Sequence, residues 1–144
     1  MAEPLRMNPE IRERWVKALL SGRYQQGYGA LCAIREDGSR GYCCLGVLED
    51  LAVQDGITTE EGARGSHVRY GPSGELGVLE NEVSAWAGIE NLSRNPMVMV
   101  RMPDGQVLRA LADLNDGGKD FAFIAAAIKG EEPLVSELDM PADD

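Results

Sequence analysis

"YCCLGV", residues 42–47, sets two adjacent cysteines between a stretch of strand character and one of helix character, and the reading of that junction decides the fold. Downstream, Val47, Leu48 and Leu51 recur at helical spacing, so "CCLGVLEDLAVQDG" predicts a helix of about three turns ending near Gly56. Cys44 falls on its core stripe and Cys43 at its start. Gly46 inside this helix costs about 1 kcal/mol relative to alanine, so another element is expected to pack close there. Upstream, "ALCAIRE-DGSR-GYCC" reads as two short strands about an Asp37-Gly38 turn, a hairpin that delivers the chain to the cysteines.

Farther out, "MNPEIRERWVKALLSG" predicts a helix with Asn8 as N-cap, Pro9 at its first position and Gly22 as its stop. Ile11, Trp15, Val16, Ala18 and Leu19 form its inward stripe, and Arg12, Glu13, Arg14 and Lys17 lie outside it. "RYQQGYG" is a glycine-broken loop. Residues 55–66 are polar and glycine-containing, which predicts a flexible loop or lid before a strand at "HVRYG". "GVLENEVSAWAGI" predicts a short helix with Val83, Trp86 and Ile89 inward. A strand at 97–102 follows, then a turn at Pro103-Asp104-Gly105. "LRALADL-NDGG-KDFAFIAAAIKG" predicts two helices joined at 115–118, with Phe121, Ile124, Ala125 and Ile128 inward and Gly130 as the end. The expected fold is α+β: a small antiparallel sheet packed with an amino-terminal helix, a central helix and a carboxy-terminal αα corner resembling a helix-turn-helix. One domain over 1–130 and a mobile acidic tail over 131–144 complete the expectation.

Charge narrows the partners. Of the formal −10, six acids with no base fall in residues 131–144, whereas residues 1–41 hold seven bases against five acids. Duplex nucleic acid needs a concentrated basic face that this chain lacks; a small anion in a local basic pocket fits. The last helix offers only Lys119 and Lys129 as bases beside an alanine and phenylalanine face, which reads as core rather than as a recognition helix. No apolar run reaches the roughly 20 residues of a membrane span. Three cysteines at no framework spacing and no secretory signal suit a reducing cytoplasm.

For chemistry, Cys43 at a helix start could have a thiol pKa lowered by the helix dipole, with His67, the single histidine, as base. Free cysteine is more often simply buried, and the pair is read as building the corner. Adjacent cysteines do not readily ligate one ion and no CxxC is present, so no metal or cofactor is expected. Three loops combine arginine with tyrosine, which marks Arg23, Tyr24, Gln26, Arg40, Tyr42, Arg69, Tyr70 and Lys119 as candidate ligand contacts.

The stretches "NPEIRERWVKALLSGRYQQGYGAL", "YCCLGVLEDLA" and "LADLNDGGKDFAFIAAAI" resemble the signature blocks of a family of small proteins encoded by tailed bacteriophages. The resemblance implies action in the host bacterial cytoplasm and a role against host defence, and two mechanisms compete. One is an oligomeric sponge that sequesters a nucleotide-derived signal through the arginine and tyrosine loops. The other is an acidic protein-binding inhibitor that mimics nucleic acid in the groove of a defence nuclease. A cysteine-dependent enzyme and a virion or morphogenesis part rank behind them.

Overall fold

A computed structural model describes residues 7–71, 81–89, 99–101 and 108–130. Helix α1 (Pro9–Leu20) starts as its sequence dictates. The Asn8 side chain accepts from the Glu10 and Ile11 amides, and Pro9 occupies the first turn, where a missing N–H costs nothing. All five residues of the expected inward stripe are buried. Ser21 closes the helix and Gly22 turns the chain with φ +80°.

Strands β1 (Gln25–Gln26), β2 (Cys32–Ile34), β3 (Arg40–Tyr42), β4 (Glu60–Arg64) and β5 (His67–Tyr70) form one sheet in the order β1-β3-β2-β5-β4. The hairpin at Asp37-Gly38 is present, with Cys32 opposite Tyr42 and Ile34 opposite Arg40. Two segments read as loops are strands. The first, β1, runs parallel to β3, so the sheet is mixed rather than wholly antiparallel. Two glycines permit that approach: a Cβ on Gly27 would lie 2.7 Å from the Gly41 carbonyl carbon. The Arg35 guanidinium then donates to the Gln25 side chain and to the Gln26 carbonyl. The second, β4, replaces the expected lid. It is an exposed edge strand joined to β5 by the two-residue turn Gly65-Ser66, where Gly65 has φ +62°, the backbone that primed hairpin turns require.

Helix α2 (Cys44–Gln54) runs through the middle of the molecule and buries Cys44, Leu45, Gly46, Val47, Leu48, Glu49, Leu51 and Ala52. It meets α1 through a buried hydrogen bond in which Trp15 Nε1 donates to the Cys44 carbonyl at 2.9 Å. Helix α3 (Asn81–Ala87) buries Val83, leaves Trp86 half-buried, and ends against the start of α1, where the Asn8 amide donates to the Ala87 carbonyl. Strands β6 (Met99–Arg101) and β7 (Leu108–Ala110) pair antiparallel; residues 108–110, expected to open a helix, pair with β6 instead. The expected turn at 103–105 and the tail at 131–144 lie outside the described residues. Helices α4 (Leu111–Asp116) and α5 (Phe121–Lys129) make the expected αα corner, with Asp120 capping α5 and Gly130 ending it at φ +79°. Buried side chains from Ile11 to Ile128 form one continuous core.

Candidate functional site

Pairing across the sheet sets which side chains share a face. Cys32 opposite Tyr42, Ile34 opposite Arg40 and Glu60 opposite Tyr70 put Cys32, Arg40, Tyr42, Glu60 and Tyr70 on one side. Arg40 Nη1 lies 2.9 Å from Glu60 Oε2. From α2, Asp50 accepts from the Tyr24 hydroxyl at 2.6 Å and from Gln54 Nε2 at 2.8 Å. The Tyr24 and Tyr42 rings meet edge to face at 5.0 Å. Burial, reinforced by Asp50, raises the Tyr24 pKa well above the ordinary phenol value; burial alone dominates for Tyr42, pushed up to about 12, and for Tyr70. At neutral pH these phenols are hydrogen-bond donors and acceptors, not bases. Tyr70 Oη is buried without a conventional hydrogen-bond partner among the described residues and faces the Cys32 thiol.

Beside this cluster lies a groove of about 320 Å³ between α1 and the end of α2, bordered by Arg14, Lys17, Ser21, Arg23, Leu51 and Gln54. Arg14 holds Asp55 through two contacts, Nη1 to Oδ2 at 2.9 Å and Nη2 to Oδ1 at 3.2 Å. Gln54 joins the two regions, since its Nε2 also donates to the Tyr24 hydroxyl at 3.2 Å. Three cations, a carboxamide and a serine hydroxyl therefore adjoin two tyrosines and a carboxylate.

The eight residues expected to contact a ligand separate into four places. Tyr24, Arg40 and Tyr42 share the cluster with Tyr70, but Tyr70 is fully buried and so offers no surface to a ligand. Arg23 borders the groove. Gln26 is consumed by the fold, its amide donating to Asn115 Oδ1 at 2.8 Å and to the Lys119 carbonyl at 2.7 Å. The Lys119 ammonium sits 4.9 Å from the centre of the Phe123 ring. Arg69 alternates to the opposite sheet face and donates to the Glu61 carbonyl. Reasoning from loops missed Arg14, Lys17, Asp50 and Gln54 because all four sit on helices. Their spacing was visible, three apart on α1 and four apart on α2, the intervals that align side chains along one helix flank.

The cysteines do not support a nucleophile. All three are free and buried, and the Cys43 sulfur accepts the Gly46 amide at 3.4 Å as N-cap of α2. Burial outweighs the helix-start amides and pushes the Cys43 thiol up to about 11, opposite to the expected lowering. Cys44 and Cys32 also go up, by burial. A disulfide-exchange reagent at pH 8 should find no fast-reacting thiol in the native protein and three after denaturation; a rapid native thiol would contradict this packing. The same shifts carry a stability sign. Above the ordinary thiol pKa of about 8.5 the unfolded chain loses protons that the folded state keeps, so stability is full below that pH and falls as pH rises toward 11. Cys43 alone should cost roughly 1–2 kcal/mol between pH 8 and pH 10, read as a lower urea midpoint.

Among the described residues no cluster of histidine, cysteine, aspartate or glutamate is placed to hold a metal ion. None of their helices is long and apolar enough to cross a membrane. Compared with known proteins, residues 7–132 match the family model described as Domain of unknown function (DUF8296). No curated protein and no solved structure matches the chain.

Proposed function

The chain belongs to the domain family DUF8296, and from that premise we propose that it is a phage-encoded accessory protein that antagonises host defence in the bacterial cytoplasm by binding and sequestering a small nucleotide-derived anion. The observation that carries the reading is the groove of Arg14, Lys17 and Arg23: three cations meet around one depression in a chain of net charge −10. Phosphate oxygens suit this end, where guanidinium groups make paired, charge-assisted hydrogen bonds. The sugar or base suits the adjoining Tyr24, Asp50 and Gln54, which offer an aromatic edge, an acceptor and a carboxamide. The phage assignment rests on the three sequence blocks.

Physical chemistry bounds the affinity. Helices α1 and α2 both end near this groove, and helix carboxy-termini carry partial negative charge that disfavours anions. Asp55 also offsets Arg14. Binding therefore depends on Lys17 and Arg23 and weakens with salt.

The test is to incubate purified protein with lysate from bacteria whose nucleotide-signalling defences are active, wash, denature and identify released molecules by mass spectrometry. An intact nucleotide derivative is expected, with affinity falling about tenfold or more for each of Lys17→Ala and Arg23→Ala. A chemically altered product would point to an enzyme. No released molecule, together with a protein partner captured only when residues 131–144 are present, would instead support the acidic inhibitor.

A further inference from the structure

Among the described residues, the hydrogen bonds that Asp50 accepts through its side chain fall on one oxygen. The Tyr24 hydroxyl donates to Oδ2 at 2.6 Å, and Gln54 Nε2 donates to the same atom at 2.8 Å. A carboxylate oxygen only accepts, so the Gln54 amide must turn its NH2 group toward Asp50 rather than its carbonyl. The same Nε2 also donates to the Tyr24 hydroxyl at 3.2 Å. The Tyr24 proton and both amide protons of Gln54 are thus committed within the trio. Its remaining side-chain capacity consists of acceptors: Asp50 Oδ1 and Gln54 Oε1.

Gln54 also borders the groove of Lys17 and Arg23, two exposed cations, while Arg14 there is held by Asp55. Positively charged donors therefore adjoin a pair of acceptors. A ligand that satisfies both carries phosphate at one end and two neighbouring N–H donors at the other. The Watson–Crick edge of guanine has that pair, a ring N–H beside an exocyclic amino group; adenine sets a ring acceptor beside its amino group. Against the half-buried Asp50, an opposed acceptor forfeits a hydrogen bond to a charged group. We infer that the bound ligand is a guanine nucleotide, its base edge donating to Asp50 Oδ1 and Gln54 Oε1 and its phosphates lying at Lys17 and Arg23. The inference rests on the anion-binding reading of the groove and adds the base to it.

Calorimetric titration of the full chain with guanosine, inosine and adenosine diphosphates and with pyrophosphate tests it. The three nucleotides share ribose and phosphates, so a difference among them reports the base edge. Guanosine diphosphate should bind about ten- to a hundredfold more tightly than adenosine diphosphate. Inosine diphosphate, which keeps the ring N–H and lacks the amino group, should fall between them. Asp50→Asn keeps an acceptor for Tyr24 but sets an NH2 where the open oxygen stood. It should erase the preference for guanine while pyrophosphate binding persists, with an unchanged urea midpoint showing that the fold is kept. Equal affinity for the guanosine and adenosine diphosphates, or a preference that survives Asp50→Asn, would overturn the inference. If pyrophosphate still binds and is lost in Lys17→Ala, the anion reading stands without it; if neither pyrophosphate nor any nucleotide binds, both fall.

Discussion

Gly46→Ala should abolish or nearly abolish folding, at a cost above about 4 kcal/mol. A Cβ at this position would stand 1.8 Å from the Leu31 carbonyl oxygen and 2.7 Å from its carbon. Those are backbone atoms, held by the hydrogen bond that the Cys43 amide donates to the same oxygen at 3.2 Å, so no side-chain rotation relieves the overlap. The strand-to-helix corner would have to separate, exposing Leu31, Cys44 and Leu48, which are fully buried. Alanine would gain only about 1 kcal/mol in helix propensity. Urea unfolding or, failing expression, the yield of soluble protein measures the effect. A variant within about 1 kcal/mol of the parent would mean that the close approach is not a feature of the native state.

The second large effect is expected at Asn115, in the "NDGG" stretch. Its side chain is fully buried and ties together the three most distinctive stretches of the sequence. Oδ1 accepts from the Cys44 amide at 3.2 Å and from Gln26 Nε2 at 2.8 Å, and Nδ2 donates to the Gly27 carbonyl at 2.8 Å. Asn115→Asp keeps the shape and the acceptor but turns the donor into a second oxygen facing a carbonyl, in a site with little water. Breaking a buried network in this way costs about 3–5 kcal/mol. Asn115→Asp should therefore melt far below the parent at pH 7 and recover partly at acidic pH, where a neutral carboxyl can donate to Gly27. An unchanged midpoint would show that the amide does not join these segments.

These two residues also show what was legible beforehand. A glycine set against its helix announces a close neighbour, so the tight corner was readable from local propensity, although nothing local named Leu31 as that neighbour. Asn115 read as turn punctuation, because asparagine beside glycine is common in turns. Apart from the adjacent Asp116, its side-chain partners are 71 to 89 positions away in sequence, and no local rule reaches that far. The candidate site divides likewise. Arginine and tyrosine in loops marked Tyr24, Arg40 and Tyr42 as ligand contacts, and the fold brings these three together, whereas Gln26 and Tyr70 went to the fold and the cations at 14 and 17 entered the groove from a helix face read as lying outside the core stripe.

The sequence by itself determined the Asn8 cap and inward stripe of α1, the core stripe of α2, the hairpin at Asp37-Gly38 and the αα corner with its stop at Gly130, because each follows from periodicity and backbone preference within a few residues. The tertiary structure alone decided that β1 joins the sheet in parallel, that β4 is an edge strand, that Asn115 is the buried tie and that Gln54 connects a basic groove to a tyrosine cluster. Each of these depends on a partner distant in the chain, and the free energy that selects it, through hydrogen bonds and burial, exists only once the elements have packed.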